Sequence, residues 1–205
     1  MIIPAILEKD WDPIQKKLEV CREFANTIHV DFIDGKFAPT TTFMDFSKFA
    51  PYSNYFLLEA HLMVEEPVNY LASLSRVGFK RFLGHVEKMS DQVDFVAKGE
   101  ELGAVGLCLD LATPVEAIKV SLDDLDQILL MSVKAGASGQ TFDPSIIEKI
   151  KSLNSQSFEN IEMDGGINNE TLPAAKQEGA SIFAITSYLF GSPNPQDQFH
   201  KLQAL

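Results

Sequence analysis

The chain has 205 residues, 45% of them hydrophobic and 22% charged, and carries a formal net charge of −12 at pH 7. Ordinary globular composition at this length fits one domain spanning 1–205 and excludes a disordered or fibrous chain. The acidic balance argues against nucleic acid or an anionic membrane as partner, no apolar run nears the roughly 20 residues that span a bilayer, and no signal peptide precedes Ile2, so the expectation is a cytoplasmic protein with Cys21 and Cys108 reduced.

In chain order, 2–7 reads as a strand and 12–24 as an amphipathic helix opened by Asp10, Asp12 and Pro13. The stretch IHVDFIDG, Ile28 to Gly35, begins as an apolar strand and breaks at the Asp34–Gly35 turn. A loop over 37–42 and a short helix over 43–49, ended near Pro51, lead to a strand at 56–63. Then follow helix 67–77, strand 79–86, helix 91–102 and strand 104–109, and Pro114 begins another helix. The last units are strand 127–133, helix 144–153, strand 160–163, helix 169–178, strand 181–185 and a terminal helix from about Pro195.

Eight strands alternate with eight helical patterns, and several strands are apolar on both faces, as in an all-parallel sheet. This predicts a closed (β/α)8 TIM barrel, with an open doubly wound sheet as the fallback. Against the latter, Ala5–Ile6–Leu7–Glu8 stands where a glycine-rich dinucleotide fingerprint would follow the first strand.

In such a barrel the chemistry sits at the carboxyl ends of the strands. His29 and Asp31 lie two apart, so both point the same way at the end of the second strand. The third strand ends with Glu59 and His61, the fourth with His85 and Glu87, the fifth at Asp110 and the seventh at Asp164 before Gly165 and Gly166. Imidazoles and carboxylates gathered at one rim form a mixed nitrogen and oxygen set suited to zinc, iron(II), manganese or cobalt. Glu59 shares the face of His61 and is placed either to orient its ring or to act as a salt-bridge partner at the barrel rim, while a role in the substrate pocket or in the scaffold is read for His85.

At this point the chain resembles the ribulose-phosphate 3-epimerase family along nearly its whole length. The resemblance is carried by IPAIL, HVDFIDGKFAP, HLMVEEP, HVE, ATPVEAI, LLMSV, GQTFDPSIIEKI, EMDGGIN and SYLFGS. It implies a TIM barrel that binds one divalent metal ion, zinc or iron(II) foremost, through His29, Asp31, His61 and Asp164. It implies Asp31 and Asp164 as the two acid/base groups, and Met63 and Met131 as the apolar floor beneath the metal, with Ile33 where the family has a further methionine. The implied reaction is interconversion of D-ribulose 5-phosphate and D-xylulose 5-phosphate in pentose phosphate metabolism, by a homo-oligomer whose partner is a small sugar phosphate.

For the substrate and its phosphate the resemblance points to His61, to Gly136, Ala137, Ser138 and Gly139, to Gly165 and Gly166, and to Thr186 and Ser187. Here the sequence departs from its relatives. The family's loop NPGFGGQ is replaced by Lys134 to Gln140, which lacks the proline and phenylalanine and is expected to be a less rigid cover, with Lys134 either a compensating cation or an ordinary solvated lysine. Thr186 stands for a glycine, Ala5 for a substrate-contacting serine, Glu8 for a polar residue and Thr40 for an asparagine. Two alternatives follow: a 3-epimerase for another ketose phosphate, such as a ketohexose 6-phosphate, or a non-catalytic sugar-phosphate-binding relative.

Overall fold

The computed structural model describes residues 1–137 and 139–205; Ser138, one of the residues assigned to the phosphate loop, lies outside the described residues. The strands are β1 (Ile2–Ile6), β2 (Thr27–Ile33), β3 (Leu57–Met63), β4 (Phe79–His85), β5 (Ala104–Leu109), β6 (Gln127–Met131), β7 (Ile161–Asp164) and β8 (Ile182–Ile185). They pair in parallel in chain order, and β8 returns to β1, so the sheet closes into the expected TIM barrel. Around it lie α1 (Trp11–Cys21), α2 (Leu71–Arg76), α3 (Gln92–Glu100), α4 (Ile147–Ser155), α5 (Thr171–Gln177), α6 (Ser187–Phe190) and α7 (Pro195–Gln203).

Period-two alternation divides each strand between two cores. On β2, Ile28, Val30 and Phe32 join the outer core under the helices, whereas Ile33 joins an inner cluster with Met63, Leu83, Cys108, Leu129 and Met131. Both faces are therefore buried, which is why the strands read as near-continuous apolar runs. Helix α1 buries Ile14, Leu18 and Cys21, spaced at four and three residues along a single stripe.

Two expected helices are absent in α form. The segment leading into β3 forms a 3-10 helix over Phe46–Asn54 rather than an α-helix at 43–49, because Pro51 has no N–H for an α-helical hydrogen bond and Asp45 caps the tighter turn through the Ser47 N–H. Between β5 and β6, Pro114 opens only 3-10 turns at Val115–Ala117 and Leu122–Asp124. Val115, Ile118 and Val120 are β-branched and weak helix formers. Gln92 of α3 also competes for the backbone there, donating to the Ala117 carbonyl and accepting from the Lys119 N–H.

Candidate active site

The strand register sets the site before any side chain is considered. Asp31 lies beside His61, and Met131 beside Asp164, which in turn neighbours Ala184. Asp31 is almost fully buried, and Asp164 keeps 14% of its side chain exposed. One donor atom from each of His29, Asp31, His61 and Asp164 lies within 4.8 Å of one from every other. The His61 Nδ1 is 2.7 Å from Asp31 Oδ1 and 3.7 Å from Asp164 Oδ2, and His29 Nε2 is 3.3 Å from Asp31 Oδ1. Residues from β2, β3 and β7, far apart in sequence, thus converge on one point at the carboxyl rim.

Two hydroxyls fix the strand ends that carry the carboxylates. Thr42 donates to the Asp31 carbonyl at 2.8 Å and accepts from the Ile33 N–H at 2.9 Å. Ser132 donates to the carbonyls of Asp164, at 3.0 Å, and Gly165. Neither hydroxyl is marked by its spacing, since each reaches its partner only after the loops have folded back. Asp34 is a turn residue, accepting from the N–H groups of Lys36, Phe37 and Glu65.

Beneath the rim lies a second polar layer that strand ends alone do not reveal. Glu59 accepts from His29 Nδ1 at 2.6 Å and from Arg81 at 2.7 Å, so the ring it orients is that of His29 and not that of His61. Gln127 donates to Glu59 and to Glu162, and Glu162 Oε1 has no hydrogen-bond partner among the described residues. Alternation is the signal that marks Arg81, Gln127 and Glu162, because each lies an even number of residues from an inward-facing position on its own strand.

The electrostatics describe a nest with excess negative charge. Burial pushes Asp164 up to about 6, helped by the charge of Asp31, and burial with the charge of Glu59 pushes Glu162 up to about 8. Burial would also raise Asp31, but the charge and hydrogen bonds of His29 and His61 outweigh it and hold that carboxyl well below its usual range. Burial would discharge His29, yet Asp31, Glu162 and Glu59 outweigh it and raise the imidazole well above its usual value. A nest that retains a proton at this imidazole is one in which a divalent cation can take the proton's place. On that chemistry the four donors fit a metal ion.

A narrow cleft opens above the carboxylates. Asp31 and Asp164 reach its wall with Met63 and Met131, and His29 and His61 are fully buried behind. The cleft is also lined by Gly136, Ala137 and Gly139, by Gly165 and Gly166, and by Thr186 and Ser187. Gly166 has φ 62° and a Cβ there would stand 2.5 Å from the Phe142 nitrogen, so only glycine brings this backbone to the cleft. Thr186, by contrast, has φ −102°, outside the left-handed region that demands glycine.

The departures from the family pattern are also placed. Thr40 donates to the Gly136 carbonyl at 2.7 Å, and Gln140 donates to the carbonyls of Lys134 and Ala137, so the loop is braced without the family's proline. Lys134 is exposed and does not line the cleft. Ala5 is fully buried beside His29.

Fold and site define a (β/α)8 barrel with a mixed imidazole and carboxylate centre under a small-molecule cleft. The Ribulose-phosphate 3 epimerase family matches residues 1–190. Ribulose-phosphate 3-epimerase of Bacillus subtilis is 32% identical over 200 residues, covering 93% of this chain and 92% of its own length, and that of Schizosaccharomyces pombe is 30% identical over 203 residues, covering 96% and 89%. The chain belongs to the ribulose-phosphate 3-epimerase family. More distant in sequence is KGPDC from Streptococcus mutans, with a TM-score of 0.74 at 10% identity over 99% of this chain and 95% of that one. Orotidine 5'-phosphate decarboxylase from Pyrococcus horikoshii has a TM-score of 0.70 at 14% identity over 98% and 97%. At such identities the likeness is one of fold.

Proposed function

We propose that this protein is a ribulose-phosphate 3-epimerase, interconverting D-ribulose 5-phosphate and D-xylulose 5-phosphate with Asp31 and Asp164 as its two acid/base groups. The observation that carries this reading is the pair of carboxylates brought to one cleft from β2 and β7, with their proton affinities pushed apart. Epimerisation next to a ketone removes the carbon-bound proton on one face and returns one on the other. Asp31, held as a carboxylate, accepts the proton; Asp164, whose carboxyl burial pushes up to about 6, delivers one from the opposite side. In the reverse direction the roles exchange, and the coupled pair titrates as a unit.

His29, Asp31, His61 and Asp164 would hold a divalent cation, zinc or iron(II) foremost, with manganese and cobalt also suited to the donor set. When bound, the cation supplies Lewis-acid stabilisation of the negative charge that develops on the substrate oxygens. Met63 and Met131 keep water from that end of the cleft. The backbone of Gly136, Ala137, Gly139, Gly165 and Gly166, with Thr186 and Ser187, receives the phosphate at the other end, and the loop residue Ser138 is assigned there from sequence. Among the described residues no helix is long and apolar enough to cross a membrane. A cytoplasmic setting and self-association, testable by sedimentation, belong to the same reading, in which nucleic acid has no part.

The test is proton exchange at carbon 3 followed by NMR in heavy water, using metal-loaded protein. Wild type should exchange and epimerise ribulose 5-phosphate, and Asp164→Asn should fall by at least about 10³-fold with the fold intact. No exchange by the wild type, despite substrate binding, would identify a non-catalytic sugar-phosphate-binding relative instead. The same assay on a ketohexose 6-phosphate addresses the second reading, which Ala5 and the inward-tied Thr40 favour because both withdraw polar groups from the substrate. Faster turnover of the hexose would select it.

A further inference from the structure

His85 and Glu87 have no part in the chemistry above, yet they continue a line of hydrogen bonds that starts at Asp31. His61 Nδ1 faces Asp31 at 2.7 Å, His61 Nε2 faces His85 Nε2 at 2.9 Å, and His85 Nδ1 faces Glu87 Oε2 at 2.9 Å. The other Glu87 oxygen accepts the Asp110 N–H at 2.7 Å. Both imidazoles are fully buried, and neither they nor Glu87 line the cleft. His85 is also held between two rings, with Phe37 at 4.6 Å and His61 at 5.1 Å between centroids.

Two facing ring nitrogens can share only one hydrogen. A cation taken by the His61 Nδ1 lone pair leaves the hydrogen of that ring on Nε2. His85 Nε2 must then accept it, which places the His85 hydrogen on Nδ1, and Glu87, accepting at both oxygens, receives it. One choice at the rim fixes every proton along the line. The opposite tautomer of His85 would set two N–H groups against each other at 2.9 Å.

We infer that His85 and Glu87 are positioning residues that lock His61 into its Nδ1-ligating tautomer and thereby set the affinity of the site for its metal ion. The inference rests on the proposed ligand role of His61, and its test reads metal affinity and proton location, not turnover. His85→Gln places an amide oxygen near the accepting nitrogen, whereas His85→Leu fills similar volume with no acceptor. Cobalt(II) affinity, measured by competition with a chelator, should stay near wild type in His85→Gln and fall roughly 10- to 100-fold in His85→Leu. Glu87→Leu should weaken cobalt binding as well, because it frees His85 to adopt the opposing tautomer.

Melting temperatures of the metal-free variants separate this role from a structural one. If His85 served packing alone, the glutamine and leucine variants would lose cobalt affinity in proportion to their lost stability. Nitrogen-15 spectra of the zinc-loaded wild type should show His61 protonated at Nε2 and His85 at Nδ1. A proton on His85 Nε2, or cobalt binding by His85→Leu as tight as that of the wild type, would overturn the inference. Failure of the wild type to bind cobalt would remove the ligand role of His61 and this inference with it. Intact tight binding in all variants would remove this inference and leave the proposed function standing.

Discussion

At the scale of single residues, Glu59 shows how one side chain serves both stability and chemistry. It is fully buried, it orients His29, and it neutralises Arg81, whose side chain is 16% exposed. Removing one partner of a buried pair leaves an uncompensated charge. Glu59→Leu should therefore cost about 3–5 kcal/mol in urea unfolding and weaken zinc binding roughly 10- to 100-fold. Adding Arg81→Met should restore much of the stability and none of the zinc affinity, and zinc binding that survives the single change would exclude an orienting role. His29, Asp31, His61 and Asp164 were legible in sequence because the motifs that hold them, HVDFIDG, HLM and DGG, carry the family resemblance, although only Asp164 ends its strand. Glu162 and Gln127 were not, because a polar residue inside a strand looks like a solvated face until the barrel closes around it.

At the scale of elements, helix α1 carries a test of burial that is independent of the site. Cys21 is fully buried in its apolar stripe, and desolvation pushes the thiol up to about 12 from an ordinary 9.0, against the pull of Lys17. A raised folded-state value means that the neutral thiol is the favoured form; its stabilisation is complete below pH 9 and is lost as pH climbs towards 12. Urea midpoints between about pH 8 and pH 11, measured on wild type and Cys21→Ala, should fall more steeply for the wild type. A thiol reagent should label neither Cys21 nor Cys108 until the protein unfolds, since both are buried free thiols. The strands were readable from apolar runs alone. Helix boundaries were not, and the segment after Pro114 shows why: a side chain on α3 claims backbone groups that local propensity would assign to a helix.

At the scale of the whole molecule, a chain with a net charge of −12 is proposed to receive a substrate that is itself an anion. The protein's field opposes the encounter, and the exposed Lys134 does not line the cleft to offset it. Screening lengths shrink from about 30 Å at 10 mM salt to about 8 Å at 150 mM. kcat/KM should accordingly rise with sodium chloride over that range, contrary to the fall expected where lysines steer the substrate. A falling profile would point to a cationic entry route.

The closure of β8 onto β1 has a consequence for how the chain is made. The amino group of Met1 reaches the carbonyl of Ser181, 180 positions away, and Ile3 pairs with Ala184. While the chain emerges from a ribosome, β1 has one paired edge at most and waits for the last strand, roughly 10–40 s at ordinary rates of synthesis. Throughout that interval it offers a bare apolar strand to any other nascent chain. Until β8 docks, the polar layer of Glu59, Arg81, Gln127 and Glu162 lacks its eighth wall. Stapling the final strand into place therefore seals the sheet, dries the interior and fixes Asp164 opposite Asp31 in one event, so that a truncated product has neither a finished barrel nor a partly working site.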